Sequence, residues 1–93
     1  MTRSELVIIF RLRCNHNRMR EHMYNRLKIG DSPTCQCGLG PENTNHILQQ
    51  CPQFLTLRNQ FWERPTKLDQ KLYGSRYDLS QTVRFIRSTG LKI

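Results

Sequence analysis

Ser32-Pro33-Thr34-Cys35-Gln36-Cys37-Gly38-Leu39-Gly40-Pro41, followed by His46 and Cys51, is the stretch whose reading decides the fold. Three of the four cysteines and one of the three histidines fall between positions 35 and 51, where glycines and a proline bend the chain. Zinc takes four ligands at tetrahedral corners, with Zn–S about 2.3 Å, and Cys3His is a standard closed, structural set. A C-x-C pair reaches one metal only if the backbone turns sharply, and Gly38-Leu39-Gly40-Pro41 supplies that turn. His46 and Cys51 would then come from the start and the end of a short helix. The spacing predicts one structural Zn2+ held by Cys35, Cys37, His46 and Cys51. The competing reading is three buried thiols beside an incidental histidine, because free cysteine is a common core residue.

Helical signals surround this loop. Thr2-Arg3-Ser4-Glu5 matches a capping box, so a helix is expected over about 3–13, with Leu6, Ile9, Phe10 and Arg13 at helical spacing. Asn17 can cap a second helix to about Lys28, with Met19, Met23 and Leu27 on one face and Gly30 as its left-handed stop. After the glycine turn, Asn43 or Thr44 can cap the helix that carries His46. Pro52 suits the first position of the next helix, which runs to about Trp62 with Phe54, Leu57 and Phe61 inward and Leu55 and Trp62 flanking. A short helix over Leu68–Tyr73 closing at Gly74, then a last helix capped by Asp78 and stopped by Gly90, complete a mostly α chain. Three segments follow: a basic helical hairpin over 1–30, the metal loop and its following helix over 31–62, and a basic helical tail over 63–93. At 93 residues they make one small domain or a fragment of a polyprotein, too small for a thick core, where a metal staple adds most.

Charge divides along the same lines. Of the net charge of +8, residues 1–30 contribute +5, residues 31–60 contribute −1 and residues 61–93 contribute +4. A polyanion would therefore be held by the flanks, with Arg11, Arg13, Arg18, Arg20, Arg26, Lys28 and Arg58 as candidate phosphate contacts and Tyr24, Phe61 or Trp62 as candidate stacking surfaces. His16, His22 and Cys14 lack partners at metal spacing and are read as ordinary polar or thiol positions. The seven carboxylates are scattered, without the clusters that two-metal phosphoryl chemistry needs. Four ligands also close the metal shell. No catalytic residue is expected. No apolar run approaches the roughly 18 residues of a membrane span, and clustered cysteines favour a reducing, intracellular setting in the cytoplasm or nucleus.

Leu12-Arg13-Cys14-Asn15-His16-Asn17, then Met23-Tyr24-Asn25-Arg26-Leu27, Ser32-Pro33-Thr34-Cys35-Gln36-Cys37-Gly38 and Asn45-His46-Ile47-Leu48-Gln49-Gln50-Cys51-Pro52 together carry a resemblance. They are similar to the CCHC-like zinc-binding tail at the C-terminal end of reverse transcriptase polyproteins of non-LTR (LINE-type) retrotransposons. The likeness covers about residues 11–62; the chain departs from it at Cys14-Asn15, where the family has a small residue and a glycine. The resemblance implies a non-catalytic accessory module of an RNA-directed DNA polymerase. Its partners would be RNA or DNA, or the polymerase or ribonuclease H domain of the same polyprotein, with no membrane involved. The alternative function is a docking module that packs on such a domain without contacting nucleic acid.

Overall fold

Helix α5, Arg76–Thr89, is the element around which the others pack. Its buried face, Thr82, Val83, Phe85 and Ile86, recurs at helical spacing, the pattern of an amphipathic helix. In the computed structural model, which describes residues 1–15, 18–91 and 93, it contacts α1 (Arg3–Cys14), α3 (Leu55–Phe61) and α4 (Leu68–Tyr73). The remaining helix, α2 (Arg20–Leu27), lies beside the metal loop. Among the described residues the only β-type pairing is an isolated antiparallel bridge between Thr34 and Pro41, so the fold is mostly α.

The Thr2 cap forms as expected: its hydroxyl accepts from the Glu5 amide at 3.2 Å, and the Glu5 carboxylate accepts from the Thr2 amide at 2.9 Å. The face that α1 buries overlaps the expected one only at Ile9. Ile9 and Leu12 enter the core with Ile8 beside them, whereas Leu6 and Phe10 are exposed. Both sets repeat at three or four residues, and only the positions of α4 and α5 select between them. Those two helices are the main packing partners of α1 among the described residues.

Helix α2 also differs from expectation. Asn17, the expected cap, lies outside the described residues. The first amides of α2 are met instead by Glu42 from across the metal loop: its carboxylate accepts from Arg20 N at 2.9 Å and its carbonyl from Glu21 N at 3.1 Å. At the other end the left-handed cap is Lys28 (φ 56°), two residues before Gly30. Of the methionine stripe, only Met19 is fully buried.

Pro52 opens the next helical segment as expected, first as a 3-10 turn (Pro52–Phe54) and then as α3. Helix α4 matches its expected span. The cap of α5 is Ser75, not Asp78; Asp78 is the third helical residue, and its carboxylate reaches back to Ser75 N at 3.0 Å in a second capping box. Gly90, in the left-handed region at φ 76°, ends the helix. The core then centres on Phe85, whose ring meets Phe54 and Phe61 edge-on at 6.5 and 6.2 Å and lies 5.2 Å from Trp62. Such edge and tilted contacts add to the area these rings bury.

Candidate metal centre and basic surface

The Cys35–Pro41 loop is built from backbone hydrogen bonds before any ligand is considered. Cys35 N donates to Gly40 O at 2.8 Å, Gly38 N to Cys35 O at 2.9 Å and Glu42 N to Pro33 O at 2.8 Å. Gly38 carries the reversal at φ 78°, a conformation in which a side chain would be strained. The loop thereby folds back on itself and turns both thiols to one side.

The other half is a helical turn of unusual pitch. Residues His46–Gln50 form a π-helix closed by Cys51 N donating to His46 O at 2.7 Å, and the Asn43 side chain caps its start by accepting from His46 N at 2.8 Å. An i→i+5 turn sets residues five apart one above the other, as an H-x4-C pair needs in order to share one ion. Single π turns occur often at functional sites.

The four expected ligands converge. Their ligand atoms all lie within 4.8 Å of one another, with Cys35 Sγ 3.8 Å from Cys51 Sγ and Cys37 Sγ 3.2 Å from His46 Nε2. Two sulfurs each about 2.3 Å from one tetrahedral zinc stand about 3.8 Å apart. Cys35, His46 and Cys51 are buried and Cys37 is partly exposed, so the cluster is nearly closed to solvent. The donor set, three soft sulfurs and one imidazole nitrogen, suits a metal ion such as zinc.

Electrostatics divide the thiols. Burial pushes the Cys35 thiol up to about 12. Cys37 is held down to about 7, chiefly by the Leu39 amide, which donates to its sulfur at 3.5 Å, and also by His46. Without a metal, Cys37 thus carries the first negative charge while Cys35 keeps its proton. A metal ion bound there would displace that proton.

Second contacts tie the centre to the helices. The Thr44 hydroxyl donates to Leu12 O at 2.9 Å, and the Asn15 amide donates to Glu21 at 3.2 Å, joining the end of α1 to the loop and to α2. Glu42, only 8% exposed, also faces the Arg20 guanidinium at 3.8 Å. No sequence signal marked Glu42, because its partners lie about twenty residues away.

The basic candidates separate into two groups. Arg18, Arg26 and Lys28 are exposed on and around α2. Arg20 is exposed too, but engages Glu42 and Thr34 O. Arg11 donates to Ile93 O, and Arg13 donates to Leu72 O at 2.7 Å while lying 4.5 Å over the Tyr73 ring, so both fasten α1 to the C-terminal part of the chain. Arg58 is set apart from these: it is 7% exposed and donates to Ile47 O at 3.1 Å, enclosed by the fold and not displayed on the open surface. Of the candidate stacking residues, Tyr24 is exposed, whereas Phe61 and Trp62 pack on Phe85. Cys14 is exposed and outside the cluster, His22 lies outside it, and His16 falls outside the described residues. No helix among the described residues is long and apolar enough to cross a membrane.

Set against known proteins, the chain matches no family model, and neither a curated protein nor a solved structure is significantly similar to it.

Proposed function

We propose that this chain is a non-catalytic, zinc-binding accessory module of a retrotransposon reverse transcriptase, holding RNA or DNA on its basic surface. The observation that carries the reading is the convergence of Cys35, Cys37, His46 and Cys51 on one point. In that arrangement one Zn2+ would be held by four protein ligands, with no position left for substrate, so its task is structural. The metal would lock the loop against α2, which exposes Tyr24 and Arg26 and is flanked by the exposed Arg18 and Lys28. Backbone phosphates are the natural partners of such a face, and Tyr24 offers a stacking surface. The family resemblance supplies the context, an intracellular polymerase that must hold a template and a target.

A second reading has its own observation. Leu6 and Phe10, one turn apart on α1, are 53% and 66% exposed, an apolar pair that a polymerase or ribonuclease H domain of the same polyprotein would cover.

One experiment separates the readings. Zinc-loaded protein is titrated with single-stranded RNA and DNA at two salt concentrations, with backbone amides followed by NMR. Shifts at Arg18, Arg26 and Lys28 with affinity falling steeply as salt rises support the nucleic-acid reading. Absence of binding at low salt sinks it and leaves the docking surface.

A further inference from the structure

Beside the metal centre, but not part of it, a cavity of about 280 Å³ opens between α3 and the segment leading into α4. Its wall includes Arg58, Lys71 and Trp62, with Arg64 and Glu63 also lining it. Arg58 and Lys71 are 7% and 3% exposed, unusually enclosed for cations. Their partners are neutral. Lys71 Nζ donates to Leu48 O at 2.7 Å and Gln49 Oε1 at 2.6 Å and lies 4.0 Å over the Trp62 ring, and Arg58 donates to Ile47 O. The Arg20–Glu42 ion pair does not bear on them, since neither of its partners lines this wall. A third feature has the same sign: Trp62 Nε1 is a buried N–H donor without an acceptor among the described residues.

Two adjacent buried cations repel each other and have lost hydration, a cost that neutral acceptors only partly offset. The negative charge that acts on Arg58 is that of Cys51, and three thiolates around one Zn2+ would leave a net charge of about −1. That is one negative charge against two positive ones. Glu63 supplies the only carboxylate of the wall and Arg64 offsets it. The cavity is therefore a site with surplus positive charge, an unmatched indole N–H and room for a polyatomic ligand.

We propose that this cavity is an oxyanion site that takes a phosphate group, with Arg58 as the forked donor, Lys71 as the fixed charge and the Trp62 indole N–H as the third point of contact. A planar guanidinium matches two phosphate oxygens at once, which a halide cannot offer. The phosphate can belong to a polynucleotide or be free in solution. The site stands independently of the nucleic-acid reading above, since inorganic phosphate alone tests it.

Trp62 is the only tryptophan in the sequence, so a single indole resonance reports on the site. Zinc-loaded, 15N-labelled protein is titrated with sodium phosphate, and in parallel with sodium chloride at matched ionic strength. The expected result is a saturable shift of the Trp62 indole signal with phosphate and none with chloride. Lys71→Met is expected to weaken the phosphate effect roughly tenfold. Should that variant not fold, Arg64→Gln, at an exposed position of the wall, is expected to weaken it about two- to threefold while leaving the rest of the spectrum in place. Oligonucleotides with a 5′-phosphate or a 5′-hydroxyl then identify the source. A shift from both assigns a backbone phosphodiester, a shift from the phosphorylated strand alone assigns a terminal phosphate, and a shift from inorganic phosphate alone assigns the free ion. A phosphate effect no larger than that of chloride, or a saturable effect unchanged in both Lys71→Met and Arg64→Gln, overturns the proposal.

Discussion

Cys35 and Cys51, sixteen positions apart, hold their sulfurs 3.8 Å from one another at the base of a cluster completed by Cys37 and His46. That separation is the S···S edge of a zinc tetrahedron and nearly twice a disulfide bond length of about 2.05 Å. Both thiols are free and both are buried. The geometry favours sharing a metal over oxidation.

Replacing Cys37 or Cys51 by serine should abolish stoichiometric zinc and most cooperative unfolding. Structural zinc contributes roughly 10–16 kcal/mol in small modules at neutral pH, more than a domain of this size has to spare. Elemental analysis of the purified variants, with circular dichroism melting, reads both effects. Normal melting of either variant in excess chelator would show that the cluster is not a structural site.

Metal retention should fall with pH in a predictable direction. Coordinating thiols must be deprotonated; Cys35 holds its proton up to about 12, and Cys37 gains one as the pH drops through about 7. Protons therefore compete more strongly as the pH falls, and the metal is expected to leave between about pH 7 and 5. The thiolate-to-cobalt charge-transfer band of the Co2+-substituted protein follows this directly. A band unchanged at pH 5 would contradict it.

Lys71 predicts a pH dependence of the opposite kind. Burial, with Arg58 adding repulsion, lowers it from 10.5 to about 8. Between those values the unfolded chain binds a proton that the folded chain does not, so this group makes stability rise with pH. Below pH 8 its cost is constant. Compared with Lys71→Met, the wild type should gain about 1–2 kcal/mol between pH 7.5 and 10, a figure reduced to allow for the solvent that reaches the cavity. Paired denaturant titrations measure the difference. Parallel pH profiles for the two proteins would exclude a buried, charged Lys71.

Glu42→Ala should loosen α2 without removing the metal. The carboxylate it deletes is enclosed and accepts from Arg20 N. Losing a charged acceptor at a helix start costs about 1–2 kcal/mol. Hydrogen exchange over residues 20–24 is expected to quicken while zinc content stays at one per chain. Loss of zinc in this variant would mean that α2 holds the loop in shape, not the reverse.

The Cys3His cluster was legible because metal coordination demands particular atoms at short chain separations, and Cys35, Cys37, His46 and Cys51 are close in sequence as well as in space. Helix positions were legible for a similar reason: capping and apolar periodicity are local, as Thr2-Glu5 and the Phe54–Phe61 stripe illustrate. Arg58 and Glu42 show the limit. A charged residue reads as exposed unless its distant partner is known, and Ile47 O and Arg20 N are supplied by other elements.

By itself, then, the sequence determined a mostly α chain and a Cys3His cluster able to hold a metal, because turns, caps and ligand spacing act over a few residues. Tertiary structure alone decided which face of α1 is buried, that Phe85 of α5 forms the centre of the core, and that Arg58 and Lys71 are enclosed together beside Trp62. Those outcomes depend on the packing of helices distant in sequence, where burial and repulsion are properties of the assembled fold.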